Sequence, residues 1–371
     1  MPLIQYLSRI PFDFGAISGL ADEIERLNIK RPLLITDKGV AEAGLLHRAL
    51  DAAKPFEPVV YDGTTENPNE ASLLQCLDIW HDKDCDGLIA LGGGSPIDLS
   101  KAVALLTSHG GNLADYNVKT GGSEEIGKVS PQIAIPTAAG TGAEVGRACV
   151  MSLLDGSKCV AVNLNMVADC VICDPDLTLS LPPHLTAATG IDAISHGIET
   201  FCSTWDNPPA AAIALDCVTR GVKWLPVAVQ DGRNRQARWE MMMAALEGGM
   251  CLQKALGSAH AMANPLGELH LHHGTLIGIL LPHVLRFNRH HATEQMAILR
   301  NAMTIPNGQD LDGWMTEYVE SLGLPTRLST IGVNEDVLPE MALKASTDHL
   351  SATNPRPAVE DDYLKLLKAA F

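Results

Sequence analysis

The run Asp86-Gly87-Leu88-Ile89-Ala90-Leu91, continued by Gly92-Gly93-Gly94-Ser95-Pro96-Ile97-Asp98, decides the fold. Leu88 to Leu91 is an unbroken apolar stretch of strand length, which suits a strand buried on both faces. Glycines let the backbone come close to a phosphate and take positive φ. Ser95 suits a helix N-cap and Pro96 the first helical position. Exposed amides at such a helix start, with the helix dipole behind them, bind anions. A bare strand-to-helix turn needs fewer than three glycines, so the expectation is a phosphate-binding turn. The spacing is not GxGxxG, although the physics is related.

On either side, short β-rich runs alternate with amphipathic stretches up to about residue 180. Strands are expected at 31–36, 57–61, 86–91, 133–135 and 167–173, and helices at 17–27, 40–53, 69–82 and 96–106. This alternation predicts βαβ units and a mostly parallel sheet covered on both faces, with ligands beyond the carboxyl ends of its strands. Past Pro182-Pro183 strand signals nearly vanish. Helices are expected at 185–201, 210–229, 233–256 and 274–288. The fold class is therefore an α/β domain with a Rossmann-like sheet, residues 1–180, followed by an all-α domain, residues 181–371.

Composition narrows the function. Apolar residues make up 46% and charged residues 19%, the balance of a globular chain rather than a disordered one. A net charge of −17 with no basic stripe argues against a nucleic-acid partner. No signal peptide and no apolar span of membrane length is expected. The nine cysteines are scattered, as in a reducing compartment, so the cytoplasm is the expected location. The Cys170-Val171-Ile172-Cys173 motif lies in a strand-like run, where i and i+3 point to opposite faces, so the two thiols are expected to diverge.

In Thr189-Gly190-Ile191-Asp192-Ala193-Ile194-Ser195-His196-Gly197-Ile198-Glu199, Asp192 and His196 stand on one face of a helix, one turn apart. They suit either a shared divalent ion or a hydrogen-bonded pair in a buried core. Downstream come His260 and the cluster His270, His272 and His273. Several imidazoles with one carboxylate suit Zn²⁺ or Fe²⁺. The loop Pro136-Thr137-Ala138-Ala139-Gly140-Thr141-Gly142-Ala143-Glu144 offers hydroxyls beside the glycine turn. Asp37 ends an early strand, where a carboxylate either forms a turn or accepts ribose hydroxyls and repels a 2′-phosphate, which favours NAD over NADP.

Taken together, Gly92-Gly93-Gly94-Ser95-x-x-Asp98, Pro136-Thr-x-x-Gly-Thr-Gly-x-Glu144, Gly190-x-Asp-Ala-x-x-His196, the His260 motif and His273-Gly274 resemble the iron-dependent (group III) alcohol dehydrogenases, which share a dehydroquinate synthase-like fold. The resemblance extends to Asn354-Pro355-Arg356. It implies an NAD-binding first domain and a metal-binding helical second domain, with Asp192, His196, His260 and His273 as ligands of Fe²⁺ or Zn²⁺. It places Gly93, Gly94, Ser95 and Asp98 at the pyrophosphate turn, Thr137 and Thr141 at the nicotinamide side, Asp37 at the adenosine ribose and Lys158 at a cofactor ribose. His272 is an alternative to His273.

Where many members carry a second histidine four residues after the first, this chain has Asn264, so the candidate catalytic positions are Asn264 and His270, with His270 or a metal-bound water expected to take over the proton transfer. The activity implied is metal-dependent, NAD(H)-linked alcohol dehydrogenase or aldehyde reductase chemistry on a small primary alcohol or ω-hydroxy acid. The texture around Ala187-Ala188-Thr189-Gly190, Glu199-Thr200-Phe201 and Asn207-Pro208-Pro209 is most similar to bacterial 4-hydroxybutyrate dehydrogenases, and a homodimer or higher homo-oligomer is expected. Rival expectations are a dehydroquinate synthase-like or glycerol dehydrogenase-like enzyme on the same scaffold, and a non-catalytic binding protein.

Overall fold

Five short strands pair in parallel in the order β2–β1–β3–β4–β7, where β1 is Pro32–Ile35, β2 Val59–Tyr61, β3 Gly87–Gly92, β4 Gln132–Pro136 and β7 Cys170–Val171. The computed structural model describes Ile4, Tyr6 and residues 8–371. Leu33 and Ile35 face one apolar core with Leu73 of α4 (Glu70–Asp82) and Leu99 to Leu106 of α5 (Gly94–His109). Leu34, Ile89, Leu91 and Ile133 face the other core, with Leu20 and Ile24 of α1 (Leu20–Arg26) and Leu45 and Ala49 of α3 (Leu45–Ala52). A separate short helix, α2 (Lys38–Glu42), precedes α3, so the helix expected over residues 40–53 is two.

This is a doubly wound sheet. The chain runs from β1 outward to β2, then returns to the other side of β1 for β3, so the order reverses between β1 and β3. In such sheets the ligand crevice lies beyond the carboxyl ends of the strands at that reversal. β1 leads into Thr36-Asp37, and β3 leads into Gly93-Gly94.

An antiparallel hairpin, β5 (Ala148–Ser152) and β6 (Lys158–Val162), was not expected from the βαβ pattern. The glycine turn also differs in detail. The N-cap of α5 is Gly93, and Ser95 lies inside the first turn, where its hydroxyl donates to the Glu66 carbonyl. Both Cys170 and Cys173 are buried, free thiols, and burial pushes Cys170 up to about 12, far from the thiolate that redox chemistry needs.

Tyr6–Ala138 with Gly142–Ser180 forms one compact unit. The other comprises Leu181–Phe371 with Ala139–Thr141. Within the second, α6 (Pro183–Cys202) is buried along most of its length and packs against α7 (Pro208–Gln230), α8 (Arg235–Cys251) and α10 (His273–Asn288). Between α8 and α10 comes α9 (Ser258–Leu266); α11 (Thr293–Ala302), α12 (Leu311–Ser321), α13 (Leu338–Ser346) and α14 (Glu360–Ala370) follow. Among the described residues no helix is long and apolar enough to cross a membrane.

Candidate active site

Asp192 and His196 occupy one face of α6, as their spacing requires, and their side chains approach to 3.7 Å between Oδ1 and Nε2. Two further imidazoles reach the same oxygen from other helices. His260 Nε2, from α9, and His273 Nε2, from α10, each lie 3.5 Å from Asp192 Oδ1. The rings of His196 and His260 stack at 4.8 Å, and those of His260 and His273 are tilted at 5.3 Å. One ligand atom from each of Asp192, His260 and His273 lies within 4.8 Å of the others, close enough to hold one ion.

Helix packing delivers His273. The next residue, Gly274, abuts α6 so closely that a Cβ there would lie 2.0 Å from the Ala188 carbonyl oxygen. Only glycine lets α10 begin at that depth. The preceding residue, His272, is the N-cap of α10, with Nδ1 accepting from the Thr275 N–H at 3.4 Å. The two neighbouring histidines thus divide: His272 holds the helix start and His273 faces Asp192.

The electrostatics suit a cation. Burial alone would push the Asp192 carboxyl up, but His196, His273 and His260 beside it hold it far below the usual carboxylate range. Burial and the neighbouring rings push His196 down to about 4 despite Asp192. Burial of its ring, with His260 and His272 beside it, also pushes His273 down to about 4 despite Asp192, although 38% of its side chain is exposed. Both shifts favour the neutral ring, the form a metal ligand takes. Burial also opposes charge on His260, but its contacts with Asp192 and Glu199 win and raise it to about 9. Asp192 Oδ1, His196 Nδ1 and His260 Nε2 are buried with no hydrogen-bond partner among the described residues. Orphaned buried polar atoms are costly. One carboxylate and three imidazoles converging in this way fit a divalent ion.

At the glycine turn, Gly92 adopts φ +152 and a Cβ there would meet Pro96 and the Asp37 carboxylate. A Cβ on Gly93 would meet nothing within 4 Å, so the space before the α5 amides is open. The Thr137 N–H donates to the Gly92 carbonyl at 3.0 Å, which puts Thr137 beside the turn. Asp37 caps α2 through Oδ1, which accepts from Val40 N at 2.9 Å, while Oδ2 lies toward Gly92. Asp98 Oδ2 accepts from Val150 N at 3.1 Å, and burial raises its carboxyl to about 6. Lys158 donates to Ser152 Oγ across the hairpin at 2.9 Å. Thr141 is exposed in the short segment that groups with the helical unit.

Asn264 lies one turn after His260 on α9, and its amide donates to Asp348 Oδ2 at 3.0 Å. His270 is exposed, with φ +58, at the end of a single 3₁₀ turn.

The family model for iron-containing alcohol dehydrogenases matches residues 8–175, and the model of the same family's C-terminal domain matches residues 186–371. The chain belongs to the iron-containing alcohol dehydrogenase family. A 4-hydroxybutyrate dehydrogenase from Cupriavidus necator is 45% identical, with 100% of both chains covered. The crystal structure of a 1,3-propanediol oxidoreductase superposes with a TM-score of 0.92 at 31% identity, covering 100% of both chains. A sulfoacetaldehyde reductase from Bifidobacterium kashiwanohense, solved in complex with NAD⁺, superposes at 0.88 with 26% identity, covering 100% of this chain and 98% of its own. The chain is an oxidoreductase of the alcohol dehydrogenase class.

For an iron-containing alcohol dehydrogenase, one side chain in the site escapes a motif-based reading. Glu199 Oε2 lies 2.5 Å from His260 Nδ1. The signal for it was present in the sequence: positions 192, 196 and 199 fall on one helical face.

Proposed function

We propose that this chain interconverts a small primary alcohol with its aldehyde, using NAD(H) and a divalent cation, Fe²⁺ before Zn²⁺. The substrate we favour is an ω-hydroxy acid such as 4-hydroxybutyrate, supported by the full-length relative of that name at 45% identity. The observation that carries the proposal is the approach of three imidazole Nε2 atoms to Asp192 Oδ1 within 3.7 Å.

In this account residues 181–371 hold the cation through Asp192, His196, His260 and His273. One carboxylate and three neutral imidazoles leave it a net charge of about +1. When bound, a divalent cation supplies a Lewis acid that favours deprotonation of an alcohol and polarises a carbonyl. Residues 1–180 would hold NAD, which when bound would supply the hydride acceptor; Gly93, Gly94 and Ser95 line the pyrophosphate turn, where the α5 amides would meet its charge. Asp98 ties that turn to the hairpin, and Lys158 lies on the hairpin nearby. Asp37 would select a 2′-hydroxyl over a 2′-phosphate, and Thr137 and Thr141 are the hydroxyls we assign to the nicotinamide side.

Asn264 carries no titratable proton, so its task is to hold α9 against Asp348. His270 is the imidazole we assign to passing the proton to solvent. A dehydroquinate synthase-like reaction needs basic side chains for a phosphorylated substrate. Lys254, the nearest in sequence to the metal motifs, is spent on the carbonyls of Thr200, Phe201 and Ser203. The nine buried, reduced cysteines support a cytoplasmic setting.

The test is a substrate screen on protein reconstituted separately with Fe²⁺ and Zn²⁺. Small ω-hydroxy acids, diols and aldehydes are assayed with NAD(H). The highest kcat/KM is expected for 4-hydroxybutyrate and its aldehyde. Turnover of none of these compounds with either metal would remove the proposal.

A further inference from the structure

We infer that Glu199 is a positioning residue for the cation, fixing the His260 ring so that Nε2 is the ligand atom. The inference rests on the metal-centre account above. Glu199 is buried on α6, one turn beyond His196. Its Oε2 accepts from His260 Nδ1 at 2.5 Å and from the His260 backbone N–H at 3.4 Å. Its Oε1 accepts from Ala259 N at 2.7 Å. One carboxylate thus grips both the backbone and the ring of the same residue, leaving the imidazole little freedom to turn.

The tautomer follows from chemistry. A carboxylate only accepts, so Nδ1 must carry the proton. In the neutral form that a ligand requires, the lone pair lies on Nε2, the atom that faces Asp192 Oδ1 and has no hydrogen-bond partner among the described residues. With the ring neutral, as ligation requires, two acceptors face one point, a place suited to a cation. A carboxylate behind a ligating imidazole also raises its basicity. His196 Nδ1 has no such partner among the described residues. The support is therefore concentrated on His260, the ligand that arrives from α9 rather than α6.

Glu199 has a second task, since it caps the first turn of α9, and the test must separate the two. Asn354 Oδ1 also accepts from that turn, at Ser258 N, 3.3 Å away, and does not touch the His260 ring. The measurements are the Zn²⁺ dissociation constant, by competition with a chelator, and the visible spectrum of the Co²⁺-loaded protein. Glutamine at 199 has one acceptor oxygen where Glu199 meets three N–H donors, so its NH₂ must oppose at least one of them.

Glu199→Gln is expected to weaken Zn²⁺ binding by about 10–100-fold and to shift the Co²⁺ spectrum. Asn354→Ala is expected to lower the melting temperature of the metal-free protein and leave both readouts unchanged. An unchanged Zn²⁺ constant in Glu199→Gln overturns the inference. So does equal weakening in the two variants, which would reduce Glu199 to a helix cap. A wild-type chain that binds no Zn²⁺ overturns the metal-centre account as well, whereas tight wild-type binding with an indifferent Glu199→Gln overturns the inference alone.

Discussion

His260 Nε2 stands 3.5 Å from Asp192 Oδ1, and neither atom has a hydrogen-bond partner among the described residues. When the His260 ring is neutral, the tautomer that Glu199 imposes makes both atoms acceptors. Buried acceptors facing each other are unfavourable unless positive charge lies between them. The residues around the pair therefore set what the helical unit must bind, and several consequences can be measured.

Gly274 sets the depth at which α10 starts. A methyl group there would sit 2.0 Å from the Ala188 carbonyl, and backbone does not yield as a flexible side chain does. Gly274→Ala should cost roughly 1–3 kcal/mol of stability by overpacking. It should also move His273 away from Asp192 and weaken metal binding. Thermal melts and Zn²⁺ titration of the variant check both effects; a variant as stable as wild type would mean that α10 approaches α6 less closely than 2.0 Å implies.

Asp37 both caps α2 and lies toward Gly92. Replacing an N-cap aspartate by glycine costs only a few tenths of a kcal/mol. Asp37→Gly should therefore fold normally while raising the NADP/NAD ratio of kcat/KM, about tenfold for each 1.4 kcal/mol of repulsion relieved. An unchanged ratio would leave Asp37 with its capping role alone.

Much of this was legible in the sequence, for physical reasons. Periodicity exposed the βαβ alternation, because buried parallel strands such as Leu88 to Leu91 read as continuous apolar runs. The i, i+4 spacing put Asp192 and His196 on one face. The β5–β6 hairpin also carried a signal, Asp155-Gly156 between two alternating runs, but it is masked when residues 1–180 are taken as purely βαβ. Glu199 was less accessible, since its partner lies 61 residues away on another helix. The choice between His272 and His273 turns on which one caps α10, a one-residue difference that spacing does not resolve. Ser95 was displaced from the N-cap because Gly93 and Gly94 already make the turn.

Asn264 offers a direct test of the proton path. Its amide is engaged by Asp348, so an imidazole in its place would add a titrating group one turn from His260. Asn264→His should add an ionisation to the pH–rate profile near the ordinary histidine range, about 6–7, with metal content unchanged. An identical profile would put position 264 outside the proton path.

A stability effect is expected away from the site. Arg220 is shared by three carboxylates, with Asp216 at 2.8 Å, Glu240 at 2.6 Å and Glu247 at only 3.5 Å. Burial, and then Asp216, push Glu247 up to about 8, more than Arg220 offsets. The folded value lies above the ordinary 4.5, so the folded chain holds this proton more tightly than the unfolded one. The contribution is fully present below about pH 4.5 and is lost as pH rises through about 8. Melting temperatures of wild type and Glu247→Gln across that window should diverge, wild type losing ground as pH rises. Parallel curves would show that Glu247 is ionised throughout.

The most direct test of the central claim is metal content measured together with turnover. Wild-type protein, stripped and reconstituted with Fe²⁺ or Zn²⁺, should retain about one ion per chain and regain NAD(H)-linked activity, while His260→Ala retains neither. Full activity in a rigorously metal-free preparation, or an undiminished ion in His260→Ala, would contradict the account.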